Sequence, residues 1–573
     1  MLSATRKDGR GALKVIGVAA SIGAASGTAA ILFAVAVEQV QRLLFAGGAP
    51  NLHTIAAGLP WWQVLLAPAA GGLAIGLFVD RFLAERRPHG VADVIEAAAL
   101  RGGYISSGNG VAAAAVNAAS LGCGASVGRE GPVVHLGAML GSWIARKAQI
   151  PPGRFRRLIG CGVAAGVAAS FNAPIAGAVF AIEVVVGKYT LHTFAPIAVS
   201  TIVGTSLSRL YYGRDPAFRM PTHATTSLGE IPIYAVLGIL AAAVAVAFIL
   251  SVGLAQTVFR RARLARRFRP AAAGLAVGAI AIAVPQVLGV GYEATSEALH
   301  EALSLKWLII ILLAKLVASG ISLGGGFGGG VFSPSLFLGA MAGGAFGDLV
   351  ELVYPAGSAG YSAYTVVGMA AVAGAVLGAP LSTTLIVFEM TGDYALTLAV
   401  LLATIISSVL VNDFWGRTFF QWQMEERGID LTSGHIEQLA RQVRVGELVR
   451  REVQLLPDNV KGREALAALK AGVPVYVVAA ADQRYVGTLN YDALLHTDLA
   501  KATATDLART APALRASDTL ASAVTKSGLE EAIAFPVLSD DDTVIGFVTV
   551  RQIMNAWQGI LDRVAREERS FGD

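Results

Sequence analysis

GREGPVVHLGAMLGSW, residues 128–143, is the stretch whose reading decides the fold. Two glycines flank Arg129 and Glu130, Pro132 follows, and an apolar run begins. Proline suits the first helical turn, and glycine lets the backbone come close to a ligand. A helix start offers unpaired N–H groups and the positive end of the helix dipole, so it suits an anion. Glu130 places a carboxylate where that anion would bind. Two roles fit it. It caps its own helix or pairs with Arg129, or it fills the anion site when ionised and leaves when protonated, which makes it a gate.

Outward from this stretch the pattern recurs. HLGAMLGSW (135–143) resembles FLGAMAGGAFG (337–347), sharing Leu-Gly-Ala-Met. FNAPIAGAVFAIE (171–183) follows the first, and GAPLSTTLIVFEM (378–390) follows the second. Leu136 to Pro174 is 38 residues and Leu338 to Pro380 is 42, so both halves keep one order. Each has a glycine-rich helix start, a loop, then an Ala-Pro helix start running to a glutamate. A second Gly-to-Pro start, Gly330-Val331-Phe332-Ser333-Pro334, opens the later copy behind the glycine-dense run 324–329. This is the signature of a duplicated transporter.

The chain has 573 residues, of which only 15% are charged and 65 are glycine. Soluble domains average about 25% charged. Apolar stretches of bilayer length recur through 11–412, whereas 425–573 has an ordinary soluble mixture. Some runs (14–45, 231–258, 271–292) are long enough to span, and others (110–123, 331–346, 379–391) are short and broken by glycine. Irregular backbone at membrane depth survives only where protein buries it or it lines an aqueous cavity. A path for a polar solute follows. Basic clusters at 81–87, 146–157 and 260–269, with Arg6, Lys7, Arg10 and Lys14, mark cytoplasmic loops and a cytoplasmic N-terminus. The segment 46–60 has no Lys or Arg and fits the outside. The first apolar run is too long for a cleaved signal. A bacterial inner membrane, with both termini cytoplasmic, is the expected location. A net charge of +5 does not imply nucleic acid. Cys123 and Cys161 lie inside apolar segments and read as small core residues. No metal-ligand cluster, nucleophile elbow or phosphate-cradling loop stands out, so an enzyme is not expected and neither is a cofactor.

The C-terminal part changes period. Residues 473–495 and 534–557 share one plan: strand, turn, strand ending near a glycine, then helix. Asp540–Asp542 with alternation in Val544–Val550 reads as a hairpin. The boundaries read as a transmembrane domain at 1–424, a linker at 425–442 and a cytoplasmic regulatory pair at 443–573. The pair resembles tandem cystathionine-β-synthase (CBS) domains.

With GREGP, the Gly330–Pro334 start, FNAPIAGAVFAIE and GAPLSTTLIVFEMTGDY in this order, residues 15–420 resemble the CLC family of chloride channels and chloride/proton exchangers. The resemblance implies an all-α polytopic domain built on an inverted internal repeat, followed by the α/β CBS pair. It implies a homodimer with one pore per subunit. It gives Glu130 the role of external gate and places backbone N–H groups of Val331 and Phe332 at the central anion site. Arg129, Gly131 and Gly330 belong to the same two anion-facing helix starts.

Three departures from the family pattern follow. His89, with Gly90 beside it, stands where the family has an anion-contacting serine. An imidazole N–H can donate to chloride and adds charge when protonated; alternatively the ring points away and Gly90 alone supplies a backbone contact. Phe420 stands where the family has the central tyrosine, leaving an aromatic edge without an O–H donor. Chloride is the expected anion, with nitrate a further candidate. Glu183 is followed by Val184, where exchangers carry a proton-passing glutamate. Valine relays no proton, so channel-like passive conduction is expected, and an exchanger using Glu183 or water is the alternative. The CBS stretch that holds adenine nucleotides in the family has Gln552 in place of its aspartate in 546–552, and the copy at 487–493 lacks the expected letters. A dimer-stabilising scaffold is therefore expected over nucleotide binding.

Overall fold

The computed structural model describes residues 2–47, 51–83, 85–151, 154–187, 189–213, 228–354, 360–429, 435–469, 475–479, 484–489, 501–509, 512–528 and 534–572. The chain divides into two compact units, Met1–Gly428 and Ile429–Asp573. Seven described helices are long and apolar enough to cross a membrane.

The first half of the membrane unit runs α1 (Leu2–Phe45), α2 (Leu52–Gly58), α3 (Trp61–Phe82), α4 (Val91–Leu100), α5 (Ser107–Gly122), α6 (Glu130–Lys147), α7 (Phe155–Phe171), α8 (Pro174–Phe180) and α9 (Leu191–Tyr212). The second half runs α10 (Ile231–Arg261), α11 (Arg269–Ala283), α12 (Tyr292–Leu299), α13 (Leu305–Gly324), α14 (Phe332–Val353), α15 (Tyr361–Leu377), α16 (Pro380–Thr391), α17 (Tyr394–Leu410) and α18 (Phe419–Glu425). Two expected spans differ. The run 271–292 is not one helix: α11 stops at Ala283, and a 3-10 turn occupies Pro285–Val287. Proline at 285 lacks the N–H a continuing helix needs and disfavours helical backbone at Val284. The run 331–346, expected to be short, extends through Val353 as a 22-residue helix, because its glycines pack against a neighbour and do not break it.

The shared Leu-Gly-Ala-Met letters have a packing cause. A Cβ on Gly137 would sit 2.2 Å from the Gly162 carbonyl oxygen, and one on Gly339 would sit 2.3 Å from that of Gly368. Helix α6 thus crosses α7 backbone to backbone, and α14 crosses α15 in the same way. The halves also match at their ends. Helix α7 closes on left-handed Asn172 and α15 on left-handed Gly378; each is followed by Ala-Pro and the next helix. The duplication is inverted. Glu183, in a π-helical turn (Ala181–Val186) extending α8, accepts the N–H groups of Leu381 (3.0 Å) and Ser382 (2.9 Å) at the start of α16. Glu389, near the end of α16, accepts those of Ile175 (3.0 Å) and Ala176 (2.7 Å) at the start of α8. Each helix caps the other, which only an antiparallel pair can do.

The C-terminal unit begins with α19 (His435–Gln442). Its first sheet pairs β1 (Gln454–Pro457) parallel to β2 (Val475–Val478), which runs antiparallel to β3 (Tyr485–Leu489), with β4 (Ala508–Arg509) at the edge. Its second pairs β5 (Leu514–Arg515) parallel to β6 (Ala534–Leu538), which runs antiparallel to β7 (Val544–Thr549). The hairpin expected at 540–542 joins β6 to β7, with Asp542 left-handed (φ 60°). Helices α20 (Gly462–Leu469), α21 (Ala504–Leu507), α22 (Leu520–Gly528) and α23 (Val550–Gly572) complete the unit. One strand plan used twice, over two separate apolar cores, is consistent with the expected pair.

Candidate functional site

Two helix starts meet at the centre of the membrane unit. Gly128 N–H donates to Gly330 O and Gly330 N–H donates to Gly128 O, both at 2.7 Å, so a two-bond antiparallel bridge ties the approach to α6 to the approach to α14. The contact requires glycine. A Cβ on Gly330 would lie 2.6 Å from Gly131 N, and one on Gly131 would lie 2.8 Å from Gly330 Cα. No side chain caps α6 or α14 through its N-cap residue, Arg129 or Val331. Both positive dipole ends are thus aimed into the interior.

Glu130 opens α6 and is buried. Its Oε2 accepts from Ser333 Oγ at 2.5 Å, and its Oε1 accepts from Tyr292 Oη at 3.2 Å. Arg129 Nε lies 3.8 Å from Oε1, and the guanidinium stacks 4.9 Å over the Tyr292 ring while donating to Ser170 O. The carboxylate faces the first turn of α14 and does not cap its own helix, while the pairing with Arg129, the other half of that plain role, is present. Ser333 lies inside the quoted second start. Tyr292 carried no sequence signal, since it sits 162 residues from Glu130 and no motif surrounds it.

Below Glu130 lies a cavity of about 20 Å³, lined by Gly131, Val331, Phe332, Phe171, Phe180, Leu377 and Phe420 among others. That is room for about one water-sized sphere, which needs about 10–15 Å³. Val91, Gly131, Val331 and Phe420 also border a larger cavity of about 460 Å³. Phe171 also borders a cavity of about 250 Å³ that Arg129 lines. The small and the large cavity thus share four lining residues, and the small and the third share one. The largest carries seven arginines, Arg86, Arg87, Arg260, Arg266, Arg267, Arg269 and Arg427, against Asp80, Glu85, Asp93 and Glu426. A basic excess in a cleft raises the local concentration of anions.

The remaining expected residues divide. Phe420, on α18, is buried and borders both the small and the large cavity; its ring ends there without a hydroxyl. His89 and Gly90 line the large cavity and not the small one. His89 Nε2 is buried without a hydrogen-bond partner, 3.8 Å from Glu85, and its ring lies 5.6 Å from that of His135. The Gly90 N–H, expected to face an anion, donates instead to Asp93 Oδ2 at 2.8 Å, because Asp93 caps α4. Asp93 is in turn paired with Arg87 (2.6 Å) and Arg427 (3.2 Å). Glu183 is bound to the start of α16, and neither it nor Val184 lines any of the three cavities. The site expected from resemblance thus splits into a central group (Glu130, Gly131, Val331, Phe332, Phe420), a vestibule group (His89, Gly90, Gly330), Arg129 at the third cavity, and a displaced pair.

In the C-terminal unit, Thr549 N–H donates to Gln552 Oε1 at 3.1 Å, Gln552 N–H donates to Thr549 Oγ1 at 3.2 Å, and Gln552 Nε2 donates to Leu448 O at 3.1 Å. Both side chains serve the cap of α23. Residues 490–493 of the first copy lie outside the described residues.

Residues 71–412 match the family model for voltage gated chloride channels. A chloride channel protein described as ClcB-like from Ralstonia nicotianae is 37% identical over 402 residues, covering 70% of this chain and 94% of that protein. The voltage-gated ClC-type chloride channel ClcB of Escherichia coli is 31% identical over 396 residues, covering 69% of this chain and 94% of its own. Among solved structures, a slow cyanobacterial Cl−/H+ antiporter aligns with a TM-score of 0.65 at 21% identity, over 72% of this chain and 98% of that one. A eukaryotic CLC transporter aligns with a TM-score of 0.62 at 18% identity, over 94% of this chain and 98% of that one. At those identities the likeness concerns the fold.

Proposed function

This chain belongs to the voltage-gated chloride channel (CLC) family, integral membrane proteins of chloride transport, and on that premise we propose that it conducts chloride passively through a path gated by Glu130. The observation that carries the reading is the Glu130 carboxylate, held by the Ser333 hydroxyl at the head of α14 and the Tyr292 hydroxyl at the head of α12, and bordering a small interior cavity. An ionised carboxylate there competes with an anion for the same dipole end. Protonation removes its charge, frees the site and opens the path. Val331, Phe332 and Gly131 supply the backbone of the central site, Phe420 closes its inner side, and the arginine-rich cavity gathers anions. His89, whose ring Nε2 borders that vestibule 3.8 Å from Glu85 and makes no hydrogen bond among the described residues, acts on anion choice.

Passive conduction is favoured over proton-coupled exchange because Val184 offers no carboxyl group and Glu183 is committed to two backbone N–H groups. The protein works as a homodimer with a pore in each subunit. Both termini are cytoplasmic and the bacterial inner membrane is its location. Residues 443–573 are a CBS pair acting as a scaffold.

The test is chloride efflux from liposomes holding purified full-length protein, with proton movement recorded in the same sample. Efflux that follows an ionophore-set voltage without proton uptake is expected. A chloride gradient that drives protons uphill at a fixed ratio would show an exchanger and sink the passive reading.

A further inference from the structure

Away from the anion path, the fold brings together His53, Glu293 and Glu297. Glu293 and Glu297 stand four apart on α12, hence on one helix face, and His53 comes from α2, about 240 residues earlier in the chain. His53 Nδ1 lies 2.9 Å from Glu293 Oε2, and Nε2 lies 3.3 Å from Glu297 Oε1. The imidazole is buried, Glu293 is 18% exposed and Glu297 34%, so the group is anchored at the ring and more open at Glu297. Thr54 orients Glu293 from behind: its hydroxyl bonds Oε1 and its N–H donates to Oε2 at 3.4 Å.

We propose that His53, Glu293 and Glu297 bind a divalent cation of the zinc class on the face of the membrane unit assigned to the outside. The chemistry of the donors selects that class, since imidazole with carboxylate suits zinc and its neighbours, whereas calcium and magnesium prefer oxygen alone. Three protein ligands leave a fourth position for water, and the Thr54 contacts are the outer hydrogen bonds that hold a ligating carboxylate in place. The ligand atoms already lie within 4.8 Å of one another. One ion takes one ring nitrogen. Nδ1 with Glu293 is the nearer pair, and Glu297 closes onto the same ion by rotation of its side chain.

The same contacts would arise if a doubly protonated imidazole simply bonded both carboxylates. The two states exclude one another, because a ligating imidazole must give up a ring proton. A bound ion would fix α2 to α12. Helix α12 begins at Tyr292, whose hydroxyl donates to Glu130, so the ion would hold that tyrosine on the carboxylate and slow opening. This consequence for flux rests on the gate reading; binding itself does not.

The test is calorimetric titration of ZnCl2 into tag-free, full-length protein, for wild type, His53→Gln and Glu297→Gln. One ion per chain is expected, bound at least tenfold more weakly by each variant, with external ZnCl2 slowing chloride efflux in wild type and sparing His53→Gln. Thermal unfolding without zinc reports whether each variant folds, and Glu297, at the open edge, is the safer replacement. No binding by wild type, or wild-type affinity in either variant, would overturn the proposal and leave an ion-pair cluster only. Should Glu130→Gln keep the wild-type pH response, the gate reading falls while calorimetry still decides this site.

Discussion

Glu130 has two hydroxyl donors, Ser333 and Tyr292, and a guanidinium 3.8 Å away, and these contacts hold its carboxyl group in place. Replacing it with glutamine mimics the protonated state at every pH. Chloride flux of Glu130→Gln should be nearly independent of external pH. A variant as steeply pH-dependent as wild type in the liposome assay would remove Glu130 from the gate. His89 is different in kind: it is buried, and its Nε2 has no hydrogen-bond partner among the described residues, with Glu85 3.8 Å away. His89→Ala should alter the chloride-to-nitrate flux ratio or the response to inner-side pH. If both stay unchanged, the imidazole lies outside the path.

At the scale of elements, the reciprocal caps explain why Pro174 and Pro380 are each followed nine residues later by a glutamate. Losing a helix N-cap costs about 0.5–2 kcal/mol. Glu183→Ala and Glu389→Ala should therefore each lower the thermal midpoint by similar amounts, since each strips two N–H groups of their acceptor. Glu183→Gln should leave proton movement in the liposome assay as it is in wild type, because a side chain bound to α16 carries no protons. The bridge between the two helix starts is less forgiving. Gly330→Ala puts a methyl group into backbone at 2.6 Å. Overpacking of this kind typically costs about 1–3 kcal/mol. Thermal stability and flux should fall together, and an unchanged flux would show that the bridge does not set the site.

At the scale of the whole molecule, the membrane unit and the C-terminal unit have separate cores and separate tests. With Thr549 and Gln552 committed to the cap of α23, the second copy lacks a free hydroxyl and a carboxylate for a ribose. Millimolar ATP should leave the unfolding temperature of the full-length protein unchanged, since a ligand that binds only the folded state must raise it. A concentration-dependent rise would return the C-terminal unit to nucleotide sensing.

Sequence by itself determined what depends on local chemistry. Glycine-to-proline starts at 128–132 and 330–334, the repeated Leu-Gly-Ala-Met, the low charge of 11–412 and the basic loops fixed a duplicated membrane fold and marked Glu130. These features act through neighbours in the chain, so their spacing is visible. Tertiary structure alone decided which groups meet across distance. Tyr292 on Glu130, Asp93 taking the Gly90 N–H, Glu183 reaching α16, and His53 facing Glu293 and Glu297 join segments that no periodicity connects. The break in 271–292 belongs between the two: Pro285 announces it, but hydropathy averaged over a window passes straight across. A hydrogen bond depends on distance and direction in space, and a single sequence records order along the chain; the fold converts one into the other.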